Sequence, residues 1–113
     1  MEDFNINELV AETLKPLPVP VYFSARKEVQ PPFVLFAIND ERGTAFWDDE
    51  EQEITYKVTV NIFTTGNYIE LKNQIVKLMR ESGFYRTSIP QVLYQEDIGV
   101  YNQPMFFSYY REL

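Results

Sequence analysis

Alternating apolar and polar residues over positions 54–63, ITYKVTVNIF, predict a β-strand with one buried face. The earlier segment 32–38, PFVLFAI, is apolar throughout, which is typical of a central strand covered on both faces. We predict that the two pair as a hairpin or meander, with residues 39–53 as the connection between them. Alternating prolines in KPLPVPVYF (15–23) exclude a central strand, so we expect a linker that leads into a short edge strand, Val19–Phe23.

Two other segments show helical periodicity. In residues 6–14, apolar side chains recur at helical spacing after Asn5, a preferred N-cap residue. In residues 64–84, TTGNYIELKNQIVKLMRESGF, an apolar stripe begins after a second N-cap candidate, Asn67, and Gly83 supplies a left-handed helix stop. We predict an N-terminal helix and a longer, amphipathic central helix.

The C-terminal third returns to strand patterns. GFYR (83–86) indicates a helix stop followed by a small strand, and segments 91–97 and 103–113 indicate two more strands around IGVYN. Strands with one helix before them and another among them are typical of the α+β class. We therefore predict a single domain, residues 1–113, in which both helices pack on one face of a mixed or antiparallel sheet of four to five strands.

The composition excludes several kinds of chemistry. The 113 residues include no cysteine and no histidine, which rules out disulfides, thiolate metal sites and histidine-based catalysis. No segment approaches the ~20 apolar residues of a membrane helix, and the acidic N-terminus MEDFNINEL does not predict a signal peptide. Aromatic residues make up 16% of the chain, more than a core of this size hides, so we expect some of them in an interface.

The negative charge is concentrated in one segment. Residues 39–53 carry seven acids and one arginine, −7 + 1 = −6, which leaves −1 of the net charge of −7 for the rest of the chain. Neither part shows the basic patch that nucleic-acid binding requires. The run FWDDEEQE (46–53) has consecutive acids, whereas a calcium loop alternates its ligands around a glycine. The pattern favours a solvated connection over a metal or catalytic site.

Several motifs together carry a resemblance to a known family. They are the long alternating strand, the T-x-G-x-Y turn at 64–68, the helix end M-x-x-x-G-F-x-R at 79–86, and Y-x-x-D-x-G-x-Y at 94–101. Over residues 17–111 the chain resembles the tail terminator proteins (tail-completion or tail-to-head joining proteins) of long-tailed bacteriophages and prophages of Gram-positive bacteria. The resemblance implies an α+β structural protein that forms a hexameric ring on the last ring of the tail tube. It implies no enzyme activity and no cofactor.

The same resemblance implies a place in the virion tail or neck, after assembly in the host bacterial cytoplasm. The expected partners are other copies of the chain, the tail-tube protein and a head-completion or neck protein. DNA passes through such a ring without sequence-specific binding, and no membrane is involved. Six copies of the acidic segment would create a strong negative field, and we hypothesise that they line or rim the channel. The interface or channel candidates are Trp47, Asp48, Asp49, Glu50, Glu51, Glu53, Arg86, Tyr94, Asp97 and Tyr101.

Two alternatives to the terminator stay open. One is a different neck component, such as a head-completion stopper or connector. The other is a carboxylate metalloenzyme built on Asp48, Asp49, Glu51 and Asp97. Arg86 either pairs with the acidic segment or with a neighbouring subunit, or it is an ordinary solvent-exposed arginine.

Overall fold

The computed structural model describes residues 4–24, 30–47 and 50–113, with the backbone alone for residues 44–46. Within these ranges the chain forms two helices and six strands. In chain order they are α1 Ile6–Leu14, β1 Val21–Phe23, β2 Phe33–Trp47, β3 Glu50–Thr64, α2 Tyr68–Glu81, β4 Tyr85–Ser88, β5 Leu93–Gln95 and β6 Val100–Glu112.

All six strands belong to one mixed sheet, with the order β1-β2-β3-β6-β4. The strand β5 also pairs with β6, on the same edge as β4 but nearer the start of β6. Only the β1–β2 pair is parallel, and β1 lies at the edge of the sheet, as its prolines predicted. The α+β class is confirmed, with six strands in place of the four to five predicted.

Both helices begin at the caps that the sequence indicated. The Asn5 side chain accepts a hydrogen bond from the Glu8 backbone N–H at 3.1 Å, and Asn67 does the same for Glu70 at 3.2 Å. Each bond satisfies a backbone donor that the first helical turn leaves without an intrahelical partner. Each cap hydrogen bond forms within four residues of chain, so the order of residues in the sequence was enough to predict it.

The predicted connection over residues 39–53 is wrong. Strand pairing continues from Asp40 opposite Lys57 to Trp47 opposite Glu50, with bulges along β2. Only residues 48–49, outside the described ranges, separate the two strands. The run of charged residues was interpreted as a loop, but charged side chains are also compatible with a solvent-exposed strand. In this segment the β3 backbone pairs with β6 as far as Glu53, and the Leu113 N–H donates to the Gln52 carbonyl at 3.0 Å.

Other boundaries shift by a few residues. The strand β1 begins at Val21, β5 is confined to Leu93–Gln95, and β6 begins at Val100. Gly99 lies in the turn before β6 with φ +65°, so the IGVYN segment forms the end of a tight hairpin and the beginning of β6. In this hairpin Tyr94 pairs with Tyr101, so β6 begins inside the segment that was expected to separate two strands.

The hydrophobic core lies between the two helices and one face of the sheet. It joins α1 and α2 to alternate residues of the central strands, and its largest fully buried side chains are Phe107, Leu14, Ile62, Ile75, Met79, Met105, Val10, Val34, Val58 and Val60. The other face carries no helix, so the expectation that residues 32–38 are covered on both sides is wrong. Leu35 and Ala37, which point away from the helices, are only half-buried.

Gly83 ends α2 in the left-handed region, with φ +92°. Its N–H donates to the Arg80 carbonyl at 3.1 Å, and the Phe84 N–H reaches back to the Met79 carbonyl at 2.9 Å. We expect Gly83→Ala to lower the free energy of unfolding by about 1–2 kcal/mol, because a Cβ is strained in this conformation. Urea denaturation measures the loss. Gly66→Ala is the control: this glycine has no positive φ, and the nearest atom to a new Cβ lies 3.9 Å away. Equal losses in the two variants would contradict the assignment.

Candidate functional site

The end of the β2–β3 hairpin projects as an acidic arm, which we define as residues 40–47 and 50–53. Tyr56 is the last β3 residue in this direction that belongs to the hydrophobic core, and Phe4 covers it at a ring distance of 5.5 Å. Beyond this point β3 becomes progressively more exposed, from half-buried Ile54 and Glu53 to exposed Glu51 and Glu50. The chain measures 54 × 27 × 26 Å. Its radius of gyration of 15.4 Å exceeds the roughly 13 Å of a compact chain of this length.

The acidic arm presents charge together with the large aromatic side chain of Trp47. Trp47 lies directly opposite Glu50, so the two side chains leave the same face, and Trp47 is 73% exposed. Glu51 is also exposed, whereas Glu53 is half-buried. Asp48 and Asp49 lie outside the described residues. In the part of β2 that the structure describes, no strand covers its outer edge beyond Phe36.

Three other candidates lie at the opposite end of the sheet. Tyr94 and Tyr101 pack against each other with ring centroids 4.7 Å apart, and Tyr68 of α2 contacts Tyr101 at 5.3 Å. Asp97 lies in the turn between β5 and β6. These three candidates are therefore far from the candidates on the acidic arm. Glu53 of the arm and Thr64, which pairs with Tyr101, are eleven residue steps apart along β3, or about 36 Å.

This separation contradicts the carboxylate metal site. Glu51 belongs to the acidic arm and Asp97 to the far turn, so the two carboxylates cannot share one ion. Among the side chains that the structure describes, no three carboxylates converge closely enough to hold a metal. The four-carboxylate site proposed from the sequence thus loses Asp97, while Asp48 and Asp49 lie outside the described residues.

Arg86 contributes to a second feature, a basic groove between α2 and β4. The groove has a volume of about 420 Å³. Its lining includes Val76, Ile89 and four cationic side chains, which are those of Lys72, Lys77, Arg80 and Arg86. Within the described part of the chain, none of the four forms an ion pair. An adjoining apolar depression of about 510 Å³ shares Val76, Arg80 and Arg86 with the groove and extends it to Phe84 and Tyr85.

The basic groove corrects the prediction that the chain has no basic patch. Lys72, Val76 and Arg80 recur at i, i+4 and i+8, which places them on one stripe of α2. The turn at Gly83 then sends β4 back beside this stripe, and Arg86 joins it. The segment 71–86 holds four cations and one acid, +4 − 1 = +3. This local excess could have been counted from the sequence, but the net charge of the whole chain hid it.

The helix-free side of the sheet, which we call the open face, carries exposed aromatic residues. Tyr85 and Tyr110 form an edge-to-face pair with ring centroids 5.3 Å apart, and Phe106 lies nearby on the same face of β6. Near the other end, Phe33 stacks on Phe63 at 4.8 Å, but Phe33 is buried and Phe63 is half-buried. Exposed apolar side chains grouped on one face indicate a protein-binding surface.

Comparisons with known proteins leave the function to be argued from this geometry. A scan against protein-family models gives no match, and a search of curated proteins finds no significant similarity. Of the helices in the described ranges, none is long and apolar enough to span a membrane.

Proposed function

We propose that the chain is a structural subunit of a long-tailed bacteriophage or prophage, which assembles with copies of itself into a ring at the head-proximal end of the tail tube. Such a ring ends tube polymerisation and joins the tail to the head or neck. The proposal rests first on the motifs of residues 64–101 and on the α+β fold that their resemblance implies, which is the fold of this chain.

One structural observation carries the assembly part of the proposal. Ten large hydrophobic side chains are more than a third exposed within the described residues. They are Phe23, Trp47, Ile69, Tyr85, Leu93, Tyr94, Ile98, Phe106, Tyr110 and Leu113. Several of them lie on the open face, on the acidic arm and at the far turn, whereas Phe23 lies on β1 and Ile69 on α2. Exposed apolar side chains that are grouped in this way mark interaction surfaces. A ring subunit needs several such surfaces, because it contacts two neighbours and the tube below.

Native mass spectrometry tests the assembly, and tube capping tests the role. We expect the purified chain to form a closed oligomer, with six copies as the expected number, at high concentration or on tube ends. Added to a polymerising tail-tube subunit of the same phage, it should shorten the tubes, and a gold label on the chain should mark one end of each tube in electron micrographs.

Two results would contradict this function. Tubes that keep their length and carry no label would exclude a terminator. Binding to the portal complex in place of tube ends would assign the chain to a different neck component, such as a stopper or connector.

A further inference from the structure

The acidic arm and the basic groove are complementary in charge, but they cannot meet within one molecule. The arm belongs to β2 and β3, whereas the groove lies between α2 and β4 at the other edge of the sheet. Glu50 lies on β3, two strand spacings or roughly 10 Å from β4. It also lies seven residue steps, or about 23 Å along the strand, beyond Lys57, which is level with Tyr85 of β4 through Ser108. The arm also points away from the helices along the strand direction. A partner for the groove therefore has to come from another molecule.

The groove and the arm match in more than charge. Four cations surround the groove, and its extension toward Phe84 and Tyr85 is apolar. The arm offers the Glu50 carboxylate on the same face as the exposed indole of Trp47, and the Glu51 carboxylate on the opposite face of the strand. An aromatic anchor beside carboxylates fits a basic groove with an apolar end, since desolvated aromatic residues supply much of the binding energy of interfaces and complementary charges give specificity.

We propose that the acidic arm of one copy docks in the basic groove of the next. Trp47 enters the apolar extension, and Glu50, on the same face, pairs with Arg80, which lines both the groove and its extension. Glu51, on the opposite face of the strand, pairs with a cation farther along the groove, such as Lys77. The contact joins two different surfaces, so the end copies of a chain of subunits still offer one free arm and one free groove. Repetition of such a contact gives a ring when the rotation between neighbours closes, and an open filament when it does not. It deepens the ring-subunit function proposed above and rests on it only in requiring that copies of the chain assemble.

This docking gives the acidic segment a different place from the one expected from the sequence. In the hypothesis drawn from the sequence, the carboxylates line or rim the channel and repel DNA. In the docked arrangement, the cations of the neighbouring subunit neutralise the carboxylates inside the wall of the ring. The assembly should consequently weaken as salt is raised, because ions screen exposed charge pairs at separations beyond about 8–10 Å and compete with the contact as it forms.

Charge reversal on each side tests the contact. The groove variant is Lys77→Glu with Arg80→Glu, and the arm variant is Glu50→Lys with Glu51→Lys. We expect each variant alone to raise the dissociation constant of self-association at least about 100-fold, as measured by sedimentation at low salt, because like charges then face each other. An equimolar mixture should assemble again, since the reversed arm fits the reversed groove and the unchanged arm fits the unchanged groove. The restored ring then alternates the two variants.

Matched controls separate this contact from general effects of charge. Glu8→Lys with Glu12→Lys reverses two exposed acids of α1, and Lys15→Glu reverses an exposed lysine after α1, outside the groove. Both controls should assemble like the wild type. Circular dichroism and thermal melting establish that every variant is folded before its association is compared.

Three outcomes would overturn the contact: wild-type chains that stay monomeric at millimolar concentration and low salt, assembly that survives either reversal, or a mixture of folded variants that fails to assemble. The proposed function fails in a different way. Assembly that obeys the charge-reversal pattern without any binding to tube ends would keep the contact and reject the terminator. Capping of tubes that is insensitive to both reversals would keep the terminator and reject the contact.

Discussion

Phe107→Ala is expected to lower the free energy of unfolding by about 3–5 kcal/mol, the usual cost of removing a buried phenylalanine ring. Phe107 is 2% exposed and lies opposite Val58, in the core between the sheet and the helices. A chain of this size has about 5–15 kcal/mol of total stability, so the loss removes a large part of it. Chemical denaturation followed by circular dichroism measures the change as a lower midpoint at an unchanged slope.

The neighbouring residue provides the control. Phe106 is 37% exposed on the open face and lies opposite Thr59. Phe106→Ala removes the same ring from the same strand, and we expect it to lower the free energy of unfolding by no more than about 1 kcal/mol, the range of strand propensity. Similar losses in the two variants would mean that the helices do not cover the face assigned to them.

Trp47→Ala is expected to weaken self-association at least about 30-fold, while the monomer keeps its stability. The side chain is 73% exposed in the single chain, so its removal costs the monomer little packing. In the docked arm it fills the apolar end of the neighbouring groove. Sedimentation over a range of concentrations measures the dissociation constant, and thermal melting measures the stability.

Trp47 also reports on its own burial, because it is the only tryptophan of the chain. We expect its fluorescence emission to shift to shorter wavelength as the protein concentration rises and the chain assembles. The Lys77→Glu, Arg80→Glu variant should keep the emission of an exposed indole at every concentration. Phe23→Ala serves as the control for loss of an exposed aromatic residue, since Phe23 lies on β1, 48% exposed and away from the arm. An assembled wild type with an exposed-indole spectrum would argue against the docked arm.

The acidic segment shows how far local patterns reach in this chain. Its composition predicted a loop, and its lack of alternating ligands argued against a calcium loop. What composition did not show is that β6 extends to Glu112 and pairs with Glu53, which gives the arm a backbone partner. Charged side chains disfavour a strand only weakly when both faces are in water, so pairing with β6 decided the structure.

The sequence by itself determined the features that depend on neighbours within about four residues. These are the two helices with their Asn5 and Asn67 caps, the left-handed stop at Gly83, and the alternating face of β3. Each results from short-range hydrogen bonding, backbone sterics or periodic burial, so the local order of residues was enough.

Only the tertiary structure decided which charges meet. Arg86 joins Lys77 and Arg80 because the turn after α2 returns the chain along β6, and the acidic arm lies apart from this groove because β3 and β6 separate β2 from β4. The electrostatic field depends on distances in space, and strand pairing between residues far apart in the chain sets those distances. The chain is nearly neutral outside one segment when it is counted in sequence, yet in the folded molecule it presents an acidic arm and a basic groove.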